Sequence, residues 1–143
     1  GLETHASIDA LRDRDVESAA AKIEDEEYSV GTTLAHHAHD GCDGLLHQGD
    51  LAEAAVSDAL KDAGVSATDI GAIAFGNAVQ GAMEGQFGIR GQIALRNMPF
   101  DAVPIINVEN ACASATTALN VAINQVRAGV CDIALAVGSE KMT

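Results

Sequence analysis

The sequence predicts an α/β fold built on a parallel sheet, and three observations carry that prediction. From residue 50 onward the chain reads helix, strand, helix, strand, helix, strand, and such alternation implies parallel strands joined by crossover helices. The strand-type runs IGAIAFG (70–76), PIINVEN (104–110) and CDIALAVGSEKM (131–142) lack polar alternation, so both faces of the sheet are expected to be covered. Hydrophobic residues make up 48% of the 143 residues but aromatics only 3%, with no Trp. The core must then be assembled from Ala, Val, Ile and Leu, and the chain is long enough for one ordinary domain.

In order along the chain, residues 1–28 read as helix, with Ser7 able to cap IDALRDRD and with VESAAAKIEDEE rich in helix formers. Residues 29–48 show weak periodicity and read mostly as loop. Residues 1–48 are therefore taken as an acidic helical and loop region, and residues 49–143 as an α/β domain. Asp50 is placed to cap a helix in which Leu51, Ala55, Ala59 and Ala63 recur near helical spacing, with Val56 and Leu60 on the same broad face. Gly64 ends it. The turn Ser66-Ala67-Thr68-Asp69 leads into the first strand run, and NAVQGAMEGQFG (77–88) reads as a Gly-rich loop. IRGQIALRN forms a short helix ended by Pro99. A long helix follows PIINV, from Ala111 to Ala128, and stops at Gly129.

The candidate chemistry lies in VENACASA (108–115). Asn110 reads as the N-cap of the long helix and Cys112 as part of its first turn. Unpaired amides and the positive end of the helix dipole gather there, a setting that in general favours a thiolate and can steady a negative oxygen on a reacting carbonyl. Ligands of open α/β sheets bind at the carboxyl ends of strands, and Cys112 lies just past one. On these grounds alone Cys112 is either a nucleophile or a small buried hydrophobe. The small-residue stripe Ala111, Ala115, Ala118, Ala122 and the bulk of Leu119, Ile123 and Val126 predict a helix whose first half is buried nearly all round.

A resemblance adds to this reading. VENACASATTALNVAINQVRAGVCDIALAVGSEKM (108–142) resembles the nucleophile segment of the thiolase superfamily, best among its sterol-carrier-protein-type members, whose corresponding strand ends in a similar Gly-x-Glu-Lys-Met. GNAVQGAMEGQFGIRGQIAL (76–95) resembles the loop and helix before that strand, and LAEAAVSDALKDAGVSATDIGAIAFGN (51–77) the family's first helix and second strand. Together they cover about two thirds of the chain. The resemblance implies the N-terminal part of a thiolase-like fold, with the helix after Asn110 as a central helix of a five-layer architecture. It implies an acyltransferase of the acetyl-CoA acetyltransferase kind in which Cys112 carries the acyl group as a thioester. Acyl-CoA is then the substrate, coenzyme A is a substrate rather than a tightly bound cofactor, and no metal site is expected. It also implies a homodimer in which the PIINV strand pairs with its twofold mate. The alternative is a thiolase-fold protein without thiolytic activity, a scaffold or a carbon–carbon lyase working with a small OB-fold partner.

Two departures from the family pattern stand out. No apolar strand precedes the first helix in residues 1–50, and the family's later His and second Cys segments are absent. The chain is thus expected to be an N-terminal part of a longer protein, inactive by itself.

Charge and composition exclude other classes. There are 21 acidic against 8 basic residues, a formal net charge of -13. Residues 1–50 hold 12 acids and 3 bases, residues 51–143 hold 9 and 5. Such a surface repels nucleic acid and anionic membranes, so neither is expected as a partner. It fits a salt-adapted protein or an ordinary acidic one equally. No apolar run approaches the roughly 18–20 residues of a membrane span, and the N-terminus lacks an apolar signal core. Three cysteines, Cys42, Cys112 and Cys131, are an odd number without framework spacing, which points to free thiols and a cytoplasmic protein. His36, His37, His39, Asp40, Cys42 and Asp43 include zinc-ligand types but read as a solvent-exposed loop. The glycines at 76, 81, 85, 88 and 91 lack the ending of a phosphate loop. Cys131 reads as a buried structural thiol, and Glu140 and Lys141 as residues leaving the sheet without a chemical role.

Overall fold

A computed structural model describes residues 29–34 and 48–141. They form a four-stranded, wholly parallel sheet in the order β1-β4-β2-β3. The strands are β1 (Ser29–Leu34), β2 (Ala72–Gly76), β3 (Ile105–Val108) and β4 (Ile133–Gly138). The helices are α1 (Gln48–Ala63), α2 (Gln80–Glu84), α3 (Arg90–Ala94) and α4 (Ser114–Arg127). The α/β class and the parallel sheet are as expected.

The two central strands explain the layering. In AIAFG and IALAVG the alternation is one of size rather than polarity. Ile73, Phe75, Leu135 and Val137 point to one face and pack with Ala52 and Val56 of α1, Ala94 and Leu95 of α3 and the chain, and Phe100. Ala72, Ala74, Ala134 and Ala136 point to the other and meet Ala118, Ala122 and Val126 of α4. Large side chains fill the wide gap under α1 and α3, while the alanine face lets α4 lie close to the sheet. Gly76 and Gly138 pair across β2 and β4 and continue the alanine face to the carboxyl end of the sheet. A Cβ at Gly76 would come within 2.6 Å of the Ser114 carbonyl oxygen, and one at Gly138 within 2.5 Å of the Ala115 Cβ. The start of α4 therefore rests on bare backbone.

Helix ends follow the expected glycines. Gly64 and Gly129 have φ of +65° and +69°, and the amides of Val65 and Val130 reach back to the carbonyls of Leu60 and Gln125 at 3.0 Å each, as in a Schellman motif. Ser66 and Asp69 form a reciprocal capping box on the 3-10 turn Ala67–Asp69.

Four expectations need correction. Residues 29–34, read as loop, form β1, which pairs with β4 along its whole length from Ser29 with Ile133 to Leu34 with Gly138. SVGTTL is rich in β-branched residues, but it is not apolar, which hid it. Helix α1 begins at Gln48, so Asp50 sits in its first turn rather than at its cap. Residues 80–84 of the Gly-rich loop are helical, ending at Gly85 with φ +71°. Helix α4 is not buried all round within the described residues: one stripe, Ser114, Ala118, Ala122 and Val126, is buried, while Ala111, Cys112, Ala113 and Thr116 are exposed. Its small residues serve close packing against a single alanine face.

Candidate functional site at the carboxyl edge of the sheet

Strands β2, β3 and β4 end together, and the loops that leave them carry a group of hydrogen-bonded polar residues. Past β3 the chain makes a tight turn. Ala111–Ala113 is a 3-10 turn that precedes α4, and Cys112 is its middle residue, exposed to solvent. Asn110 does not cap the helix: its side-chain Nδ2 donates to Thr117 Oγ1 at 2.9 Å. The amides of the turn are largely engaged. Ala111 N–H donates to Glu109 Oε1 at 2.7 Å, Ala113 N–H to the Asn110 carbonyl at 2.9 Å, and Ser114 N–H to the Ala111 carbonyl. The expected cluster of unpaired amides around Cys112 is therefore not present at residues 111, 113 and 114.

The turn stores strain instead. Ala111 has φ +46°, a left-handed conformation that costs a non-glycine residue about 1–3 kcal/mol and persists only where surrounding bonds impose it. Ser114 supplies two of those bonds. Its hydroxyl donates to the Ala111 carbonyl at 2.8 Å and accepts from Asn110 N–H at 2.8 Å.

Beside the turn lies a polar network that the sequence reading missed. Glu140, just past β4, accepts hydrogen bonds from the amides of Ala78, Val79 and Gln80 at 2.6, 3.0 and 2.8 Å. A carboxylate at the first amides of a helix satisfies donors that have no intrahelical partner. Glu140 thus ties the end of β4 to the start of α2, a structural role where none was expected. Its complement is Gln80, fully buried, whose Oε1 accepts from Lys141 N–H at 3.0 Å. Glu140→Ala is expected to lower stability by about 1.5–3 kcal/mol, the cost of losing hydrogen bonds to a charged group. Urea denaturation of parent and variant checks it.

Asn77, immediately after β2, donates through Nδ2 to the Ser139 carbonyl at 2.6 Å and accepts from Arg90 Nη1. Arg90 Nε donates to the Gln86 carbonyl at 2.9 Å, and Nη2 is buried without a hydrogen-bond partner among the described residues. Asn107 of β3 accepts from Gly91 N–H at 2.6 Å and donates to Gln92. Asn77, Arg90 and Asn107 line a cleft of about 340 Å³ together with Phe75, Phe87, Ile89, Val108 and Glu109. Cys112 is not among its lining residues. A Gly-x-Glu-Lys-Met strand end facing a Gly-Asn loop was the available signal for this network, but the bonds join residues about sixty positions apart.

Of the other cysteines, Cys131 is half-buried rather than buried. Burial, and then the neighbouring charge of Asp132, pushes its thiol above the ordinary range. The histidine-rich stretch and Cys42 lie outside the described residues, as does every histidine of the chain. Among the described residues no helix is long and apolar enough to cross a membrane.

Comparison with known proteins completes the picture. The family model for the thiolase N-terminal domain matches residues 32–143. Human sterol carrier protein 2 is 31% identical over 116 residues, which are 81% of this chain and 20% of that protein. An acetyl-CoA acetyltransferase of Methanocaldococcus jannaschii is 38% identical over 93 residues, 65% of this chain and 23% of the relative. One from Methanothermobacter thermautotrophicus is 40% identical over 85 residues, 59% and 22%. The chain spans about a fifth to a quarter of the length of these relatives. The family match begins inside β1 and covers its last residues, 32–34, together with the Cys112 turn. The chain belongs to the thiolase family and corresponds to its N-terminal domain.

Proposed function

We propose that the full-length protein is a thiolase-type acyltransferase that uses Cys112 as its nucleophile. The observation that carries this reading is an exposed cysteine on a strained turn, between a parallel strand's carboxyl end and the helix seated on that sheet. It lies inside the family match, and relatives named acetyl-CoA acetyltransferase share the segment's family. The Cys112 sulfur attacks the carbonyl carbon of an acyl-CoA. A carbon–sulfur bond forms, the bond to coenzyme A breaks, and the proton lost by the cysteine ends on the departing CoA thiol. The thioester then delivers its acyl group to a second substrate, so that one difficult carbon–carbon step becomes two easier ones. Coenzyme A serves as substrate.

A homodimer through the β3 edge is part of the same proposal. Among the described residues strand β3 has a single neighbour in the sheet, β2, and Ile106 on it is 38% exposed. An open, apolar strand edge invites pairing. The acidic charge and unpaired thiols fit a cytoplasmic protein.

Alkylation tests the assignment of the thiol. With limiting iodoacetamide near neutral pH, the full-length protein is expected to lose Cys112 before Cys131, because Cys131 is half-buried and holds its proton to higher pH. Labelling of Cys131 should rise as pH passes above the ordinary thiol range, and acetyl-CoA should slow labelling at Cys112 alone. Peptide mapping reads both. Substrate that leaves Cys112 labelling unchanged would remove it from the acyl site.

A further inference from the structure

Resting on the reading of Cys112 as nucleophile, we propose that Ser114 is a positioning residue that holds the thiol in line by clamping Ala111 in its left-handed conformation. The direction of the Cys112 side chain depends on the peptide that joins Ala111 to it. That peptide's carbonyl is held from one side by two donors of the same residue, the Ser114 hydroxyl at 2.8 Å and the Ser114 amide. The same hydroxyl holds Asn110 N–H at 2.8 Å, so one oxygen spans the strained residue from before to after. Glu109 adds a fourth hydrogen bond through the Ala111 amide at 2.7 Å.

Ser114 is itself buried and closely packed. It is 5% exposed, and its carbonyl group lies against Gly76, where an added Cβ would meet its oxygen at 2.6 Å and its carbon at 2.7 Å. The sheet end thus supports the serine, and the serine supports the turn. Without the clamp, Ala111 relaxes toward negative φ, the conformation an alanine prefers by about 1–2 kcal/mol. A change of that size in φ re-aims the Cys112 Cα–Cβ bond, and a misplacement of about 1 Å at a reacting atom costs on the order of 100-fold in rate. A residue that only stabilised the fold would give no such selectivity for the chemical step.

The test uses glycine, which adopts positive φ without steric cost. In the full-length protein, Ser114→Ala is expected to lower kcat about 10- to 100-fold with KM within about twofold. Adding Ala111→Gly to Ser114→Ala should return most of the lost kcat, because glycine needs no clamp. The rate of Cys112 alkylation should fall and recover in step, a readout that does not depend on thiolase chemistry. Should Ser114→Ala fail to fold, Glu109→Ala removes the exposed restraint instead, with a kcat loss of about 3- to 10-fold that Ala111→Gly again repairs. The proposal is overturned by a Ser114→Ala enzyme with parental kcat, or by losses that Ala111→Gly does not repair in either background. Full activity of Cys112→Ala would instead overturn the nucleophile reading on which this rests.

Discussion

Gly76→Val is expected to destabilise the protein by about 3 kcal/mol, the upper range for forcing side-chain atoms into a packed site. Against a total stability of roughly 5–15 kcal/mol, that is a large share. The new Cβ would meet the Ser114 carbonyl oxygen at 2.6 Å, its carbon at 2.7 Å and the Ala115 amide nitrogen at 2.9 Å. All three are backbone atoms of the first turn of α4, so no flexible side chain can yield. The helix must lift from the sheet, and its alanine stripe at 118 and 122 then loses contact with Ala72, Ala74, Ala134 and Ala136. Urea denaturation reads the loss. Gly88→Ala is the matched control: nothing lies within 4 Å of its added Cβ and its φ is not left-handed, so stability should stay within about 0.5 kcal/mol of the parent. Equal effects at the two glycines would mean that the close seating of α4 does not matter to the fold.

On the proposed role of Cys112, seating and chemistry are linked by a short chain of contacts. Gly76 and Gly138 admit Ser114 and Ala115 to the sheet, Ser114 fixes Ala111, and Ala111 aims Cys112. The alanine face of β2 and β4 is thus the foundation of the turn as well as half of the core.

Much of this was legible in the sequence because it is locally encoded. Alternating helix and strand runs located β2, β3, β4, α1 and α4, since each is long or apolar enough to show its own period. Gly64 and Gly129 marked helix ends through a conformation that few other residues accept. Cys112 stood out through VENACASA and the family it resembles. The remainder depends on pairings between distant residues. Strand β1 is defined by its partner β4, about a hundred residues on, and SVGTTL by itself is too polar to announce a strand. Glu140 reads as a charge leaving the sheet until the amides of residues 78–80 are placed against it. Arg90 carries no local sign of burial, yet only 9% of it is exposed, because Asn77 and the Gln86 carbonyl receive it. The left-handed Ala111 carries no local signal, since alanine is the residue least suggestive of a turn; the strain is imposed by Ser114 and Glu109.

The second large effect is expected at the thiol itself. Cys112→Ala in the full-length protein should reduce acyl transfer from acetyl-CoA by at least about 10⁴-fold, the scale seen when a covalent nucleophile is removed. Stability should change little, because Cys112 is exposed and packs against no core residue of the described structure. Loss of turnover with an unchanged denaturation curve separates a chemical role from a structural one. A variant that unfolds together with its activity would place Cys112 in the packing instead.

The most direct measurement is of the covalent intermediate. Full-length protein mixed with acetyl-CoA, quenched in acid within one turnover and digested, should yield an acetylated peptide containing Cys112, with Cys42 and Cys131 unmodified. The acetyl group should disappear when the second substrate is added before the quench. Steady turnover with no acetyl group on Cys112, or with the group on another cysteine, would contradict the account.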